Sequence, residues 1–401
     1  MKTFFRHQAS GLMASLLLCL PPAVQAAPAH PAAAPADLAS SDGYQNTCAH
    51  QPDTAASLKN DDSRVAFVIC RDTSLVKNLI TWAKTGMDRM DKEKPSMNQV
   101  VKEIQQKLEY TRKEVKLSGD VLARIRLGQR KSLLLKPAEW QMDLDGDGEI
   151  KIWERYFFAI PQRGHHPFRF SMPSDDADYY DKEYNLAARI RVDQSDVLWA
   201  LAYHRFVEGV LSFVSTFDVD WSDNRRDVSI TVARPQMMKR AHALINEGLD
   251  TSERMRRSVL AERSNEDEWI ANPSQTSSVF PIPLDEGDFD TWGSLLKEIK
   301  AVWNGEHLLP GNLAAVPAAF MGVKNAKCGK EQGINLSRLF LNPPAAGTRY
   351  GVDSRDPNEV VTLICQDVTT RHPLSPLPDM ASQSMESSAG MSFLRYFYWT
   401  N

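Results

Sequence analysis

Twelve consecutive residues, running Asp143-Leu-Asp-Gly-Asp-Gly-Glu-Ile-Lys-Ile-Trp-Glu154, hold the densest chemistry in this chain. Carboxylates recur at alternate positions (Asp143, Asp145, Asp147), Gly148 follows, and Glu154 closes the run. Short acids on a tight turn aim oxygen at a common centre. Oxygen is what a hard divalent cation takes, about six to eight atoms at roughly 2.3–2.6 Å. Gly148 permits a sharp turn that a Cβ would resist. A weaker pairing is His204 with Glu208, one turn apart on one side of an apolar helix. At that spacing they can ligate a transition metal or share a proton, acting as catalytic groups; equally they can form a hydrogen-bonded core pair or a solvent-facing stripe. No third ligand is evident for them. The adjacent His165 and His166 point to different sides of any regular element and read as loop.

The run 143–154 resembles the calcium loop of the EF-hand family position by position: acids at 1, 3 and 5, glycine at 6, a branched apolar residue at 8 (Ile150), glutamate at 12. The resemblance covers those residues and the helix behind them. It implies Ca²⁺ as the cofactor, held by Asp143, Asp145, Asp147, the backbone carbonyl of Glu149 and a bidentate Glu154, with Ile150 turned inward and water at position 9, where Lys151 cannot ligate. Trp153, Phe157 and Ile160 at helical spacing, stopped by Pro161, predict an exiting helix over 152–160. Pro137 to Met142 allows one or two turns in front. The entering helix is therefore truncated, and no second loop matches: Asp218-Val-Asp220 starts like one but lacks the glycine and the closing glutamate. Sensor proteins work through opening helix pairs. A lone loop points to a structural ion.

Signatures of other chemistries are absent. There is no G-x-S-x-G, no H-E-x-x-H, no Walker loop, no dinucleotide fingerprint and no C-x-x-C. A hydrolase using two acids stays open, with no pair nominated. The whole chain carries 47 basic and 51 acidic residues, net −4 with no basic stripe, which makes nucleic acid and anionic membranes poor partners.

The elements that must position the loop can be read around it. Residues 1–26 read as a secretory signal: Lys2 and Arg6, an apolar Leu12 to Leu20, and Val24-Gln-Ala26 for cleavage. An Ala/Pro linker, expected to be disordered, fills 27–42. Loss of the leader takes the charge from −4 to −6 and leaves Cys48, Cys70, Cys328 and Cys365. An even count in an oxidising compartment suggests two disulfides with three possible connectivities. The pairing Cys48–Cys70 with Cys328–Cys365 is favoured because both pairs sit in similar surroundings: residues 64–72 and 359–367 share Val, Ile, Cys and Asp in register. Those stretches read as two strands of a small sheet or as a duplicated unit.

Amphipathic helices are expected over 73–90 and after Pro95, with a solvated basic face over 122–131. A central helix runs 194–217. Another begins at Pro235 and breaks near Gly248, and one is capped by Thr291. No stretch beyond the leader reads as a membrane span.

The fold class expected is mainly α: a helical exported domain over 43–271 with a single EF-hand-like Ca²⁺ loop, a boundary loop near 272–287, and a C-terminal helix plus a small β or irregular, Pro-rich part over 288–401. Short β runs are expected at 339–341 and 360–365. The aromatic tail Phe393 to Trp399 reads as docked on the body or as the binding segment for a protein partner. The function expected is an exported, periplasmic or extracellular calcium-binding protein with a binding or structural role. The alternative is an exported hydrolase whose pocket lies on the central helix.

Overall fold

In the computed structural model of the chain, residues 36–163, 176–221, 228–282, 284–314, 327–351 and 363–380 are described. Helices dominate: α1 (Ser41–Ala49), α2 (Asp61–Glu93), α3 (Met97–Leu122), α4 (Ile152–Arg155), α5 (Ala177–Glu183), α6 (Gln194–Val214), α7 (Gln236–Ala261), α8 (Glu286–Trp303) and α9 (Leu336–Leu341). The chain divides into two compact units interleaved along the sequence. The first holds Met1–Glu93, Lys113–Leu201 and Arg254–Glu286; the second holds Lys94–Arg112, Ala202–Glu253 and Gly287–Asn401.

The first unit is built on the N-terminal half of α2. Asn60 caps it, its Oδ1 accepting from Ser63 N–H at 2.8 Å, and Asp61 and Asp62 sit favourably in the positive first turn. Val65, Ala66, Phe67, Val68 and Cys70 are buried there with Leu38, Val121, Ile125, Trp140 and Val197. Trp140 stacks on Tyr44 at 5.5 Å and donates its indole N–H to the Leu38 carbonyl at 2.9 Å. Leu38 is therefore ordered and fully buried inside the stretch read as linker. Residues 64–72, read as a strand, lie within α2: burial of one helical face overrides the β preference of Val65, Val68 and Ile69. Two-residue antiparallel ladders pair Leu134–Leu135 with Ile190–Arg191 and Ile160–Pro161 with Tyr184–Asn185. Cys48 is bonded to Cys70.

In the second unit, two three-stranded antiparallel sheets flank a core of Val232, Met238, Ala241, Ile334, Phe340, Tyr350 and Ile364. One sheet has Val228–Val232 between Phe217–Trp221 and Arg349–Gly351; the other has Gln332–Ile334 between Leu309–Pro310 and Cys365–Asp367. Cys328 is bonded to Cys365. The α7 helix continues through Gly248 without the expected break. A Cβ there would lie 2.6 Å from the Phe206 ring, and one at Gly209 would lie 2.9 Å from Ile245. Both glycines let helix surfaces approach closely, which outweighs the modest helical cost of glycine. Leu339 to Leu341, expected as strand, end the short α9, which Asn335 caps. Thr291 lies inside α8, which starts at Glu286.

The basic stretch 122–131 is solvated at Arg124, Arg126 and Arg130, as expected, but it is not helical, and Lys131 is drawn inward. The α3 helix ends at Leu122, Arg130 pairs with Asp62 at 2.8 Å, and Lys131 enters an acidic cluster described below. Against the expectation of no span, α6 is long and apolar enough by length and composition to cross a membrane. Its apolar character is also that of a core helix, with Val197, Leu201, Ala202 and Leu211 buried. The leader, the His165–His166 loop and the aromatic tail lie outside the described residues.

Candidate metal centre

Residues 143–149 fold as a chain of side-chain-to-backbone turns. Asp143 Oδ1 accepts from Gly146 N–H at 2.6 Å and its Oδ2 from Gly148 N–H at 3.1 Å. Asp145 Oδ1 accepts from Asp147 N–H at 3.1 Å, and Asp147 Oδ1 from Glu149 N–H at 3.0 Å. Gly146 and Gly148 both take positive φ, +76° and +93°, which a side chain would resist. The result gathers one oxygen each from Asp143, Asp145 and Asp147 within 4.8 Å of one another.

Glu154 sits on the single turn of α4, fully buried. Its Oε1 accepts from the N–H groups of Leu144 (2.7 Å) and Asp145 (3.0 Å), and its Oε2 from that of Lys151 (2.8 Å). This glutamate braces the loop from beneath. The apolar anchor is Leu144, 0% exposed; Ile150, expected inside, is 40% exposed because the interior position is taken by Glu154 and Leu144. The exiting helix spans only Ile152–Arg155, and the entering segment is the 3₁₀ turn Pro137–Glu139.

What replaces the missing entering helix is α2. Thr81 donates its hydroxyl to the Leu144 carbonyl at 2.8 Å, and its methyl would lie 3.1 Å from a Cβ at Gly146. One turn on, Lys84 Nζ pairs with Asp145 Oδ2 at 2.8 Å and with Asp147 Oδ2 at 3.8 Å. Lys151 Nζ reaches the same two oxygens, Asp145 Oδ2 at 2.9 Å and Asp147 Oδ2. Burial pushes the Asp145 carboxyl up, but hydrogen bonds from Lys84, Lys151 and the Asp147 N–H outweigh it and hold the group down at about 2. The bond from Lys151 lowers Asp147 likewise. Asp145 raises Lys84 in return, as Asp147 and Asp145 raise Lys151. Sequence could place Lys151 in the loop but gave no sign of Lys84, some sixty residues away.

A second acidic group of the first unit was not foreseen. Lys131 Nζ lies 2.6 Å from Glu262, 2.9 Å from Glu268 and 3.3 Å from Asp193. Asp193 is the residue before α6, and its Oδ1 accepts from the N–H groups of Ser195 (2.6 Å) and Asp196 (3.0 Å), while Asp196 Oδ2 accepts from Asp193 N–H at 3.1 Å. Asp193 thereby caps this helix. Glu262 follows the end of α7, and Glu268 lies in the next loop, 1% exposed. Burial and the neighbouring Asp193 carboxylate raise Glu262 to about 8, Lys131 offsetting part of the effect. Burial, then the Asp193 charge, raises Asp196 well above the carboxylate range.

Glu208 on α6 is fully buried, and its carboxylate is engaged by Arg240 at 2.6 Å and Arg205 at 3.3 Å, with Arg205 also pairing to Glu247 at 3.1 Å. Both oxygens are committed to guanidinium partners, and His204 is half-buried one turn earlier. A serine, a glutamate and a histidine also meet in the second unit. Ser375 Oγ donates to Glu298 Oε1 at 2.6 Å, and His307 Nδ1 contacts that same oxygen at 2.8 Å. The serine proton is directed at the carboxylate rather than at the imidazole, so the wiring is that of a tether.

Two cavities are described. One, of ≈ 260 Å³ in the first unit, is lined by residues including Arg163, Asn272, Gln275 and Thr276. The other, of ≈ 540 Å³ in the second unit, is lined by residues including Pro235, Lys239 and Pro343. Neither is lined by His204, Glu208 or the loop 143–154. No protein-family model matches the chain, and no curated protein or solved structure does either.

Proposed function

We propose that this chain is an exported calcium-binding protein in which Ca²⁺ at residues 143–154 is a structural ion, the protein itself having a binding or structural role. The observation that carries this reading is the convergence of Asp143, Asp145 and Asp147, whose oxygens lie within 4.8 Å of one another on a turn shaped by their own N–H bonds. The donor set is all oxygen, as calcium requires. Two ammonium groups already converge on Asp145 and Asp147, so the position draws positive charge. In the proposed holo form those carboxylates and the Glu149 carbonyl would face the ion, Lys84 and Lys151 would withdraw, and Glu154 would exchange backbone N–H partners for the metal.

Export is supported by the leader-like residues 1–26 and by the disulfides Cys48–Cys70 and Cys328–Cys365, which an oxidising compartment maintains. Outside the cytosol Ca²⁺ is often near millimolar, and a site filled at ten times its dissociation constant adds about 1.4 kcal/mol of stability. Calorimetric melting of the wild-type chain in calcium and in EGTA should show that difference, and an Asp143→Asn, Glu154→Gln variant should not respond. Identical melting of wild type with and without EGTA would remove the reading.

A further inference from the structure

Lys131 faces four buried or nearly buried acids: Asp193 and Asp196 from the start of α6, and Glu262 and Glu268 from the segment after α7. The hydrogen-bond inventory of the pair at its centre does not close if both are ionised. Asp193 Oδ1 is used by two backbone N–H groups and its Oδ2 by Lys131. Glu262 Oε1 takes Lys131, but Glu262 Oε2 is buried with no donor to accept from. A buried acceptor without a donor is costly, and two adjacent carboxylates repel. One hydrogen removes both penalties if it sits between Glu262 and Asp193.

We propose that Asp193 and Glu262 share one proton, and that this proton is a pH-sensitive latch holding residues 262–268 against the N-terminus of α6. Glu268 completes the latch: its carboxylate takes Lys131 and the Glu266 N–H, and its carbonyl accepts from Val279 N–H at 3.0 Å. Asn272 ties the same segment to the end of α7 through the carbonyls of Val259 (3.1 Å) and Glu262 (2.9 Å), and it lines the cavity of the first unit. Ionisation of the pair therefore loosens a segment held by Asn272, a residue of the cavity wall.

The sign follows from the raised carboxyl. The closed segment holds a proton that the open segment releases, so the latch is fully set below the ordinary glutamate range and is lost as pH rises through about 8. Asp196, raised in the same direction, adds to the slope; Lys131 keeps its charge throughout this window.

Hydrogen exchange of the 262–268 amides in the full-length oxidised chain tests this. After correction for intrinsic exchange, the opening constant should rise at least about tenfold per pH unit between pH 5 and 8, the share of the one Glu262 proton, and then level off. Glu262→Gln supplies a permanent N–H in place of the shared proton. It should lower that slope by about a factor of ten per unit and protect the segment better than wild type at pH 9. Protection in the wild-type chain that is constant from pH 6 to 8 overturns the proposal on its own, whether or not the variant folds. An undiminished slope in Glu262→Gln overturns it too.

Discussion

The two acidic clusters of the first unit are made of the same parts, carboxylates around lysine, yet Asp145 and Asp147 of one are displaced downward and Glu262 and Asp196 of the other upward. In the loop 143–149, two ammonium groups serve the outer oxygens of Asp145 and Asp147, backbone N–H groups serve the inner ones, and Asp145 is held at about 2. Around Lys131, one ammonium serves three carboxylates, a fourth is buried beside them, and Glu262 is driven up to about 8. The difference is one of donors per oxygen and of access to water. Where donors suffice, acids stay ionised, the state that the proposed calcium site requires. Where donors fall short, acids retain protons.

The largest expected effect comes from removing the ammonium of Lys131. Lys131→Met should destabilise the chain by about 3–5 kcal/mol in urea titration at pH 7, since it leaves buried carboxylates unpaired. A loss below about 1 kcal/mol would mean that the cluster is far wetter than its geometry implies. Next is the brace of the loop. Glu154→Ala strands three backbone N–H groups and should cost about 1–3 kcal/mol by the same measurement, without added calcium.

Acid unfolding separates the clusters by sign. Because Asp145 is depressed, its stabilisation is present above the ordinary aspartate range and disappears as pH falls through about 2. Asp145→Asn should flatten that acid limb and leave the alkaline limb, which belongs to Glu262, untouched. The smallest effect on stability belongs to Lys84→Ala, because that ion pair is partly exposed and screened by solvent. Its sharper readout is calcium affinity in isothermal titration, which should rise when the competing ammonium is gone.

How much of this could be read from the chain depends on how local each determinant is. The acidic loop is a property of adjacent residues, so the meeting of Asp143, Asp145 and Asp147 was legible from spacing alone. The helical class followed from periodicity; the cysteine pairing was expected correctly, but the likeness that suggested it does not hold in the fold, where Cys70 lies in a helix and Cys365 in a strand. Lys84 and Thr81 were invisible because nothing in α2 marks the turn that meets residues 144–147. The Lys131 cluster joins residues 131, 193, 262 and 268, each ordinary in its own neighbourhood; Lys131 looked like part of a solvated basic face. Glu208 was rightly singled out as polar inside an apolar helix, but its partner Arg240 lies 32 residues on, and only the fold brings it there. The strand-like residues 64–72 and 339–341 were misread because tertiary burial, which local propensity does not contain, decides between helix and strand.

Each disulfide closes within one unit, Cys48–Cys70 in the first and Cys328–Cys365 in the second, across sequence separations of 22 and 37. Loop-closure entropy assigns each roughly 3–4 kcal/mol, a large part of what holds a typical domain together. A newly made chain in a reducing cytosol is without either increment. If the chain is exported as proposed, it would cross the membrane without them and gain each only on oxidation at the far side.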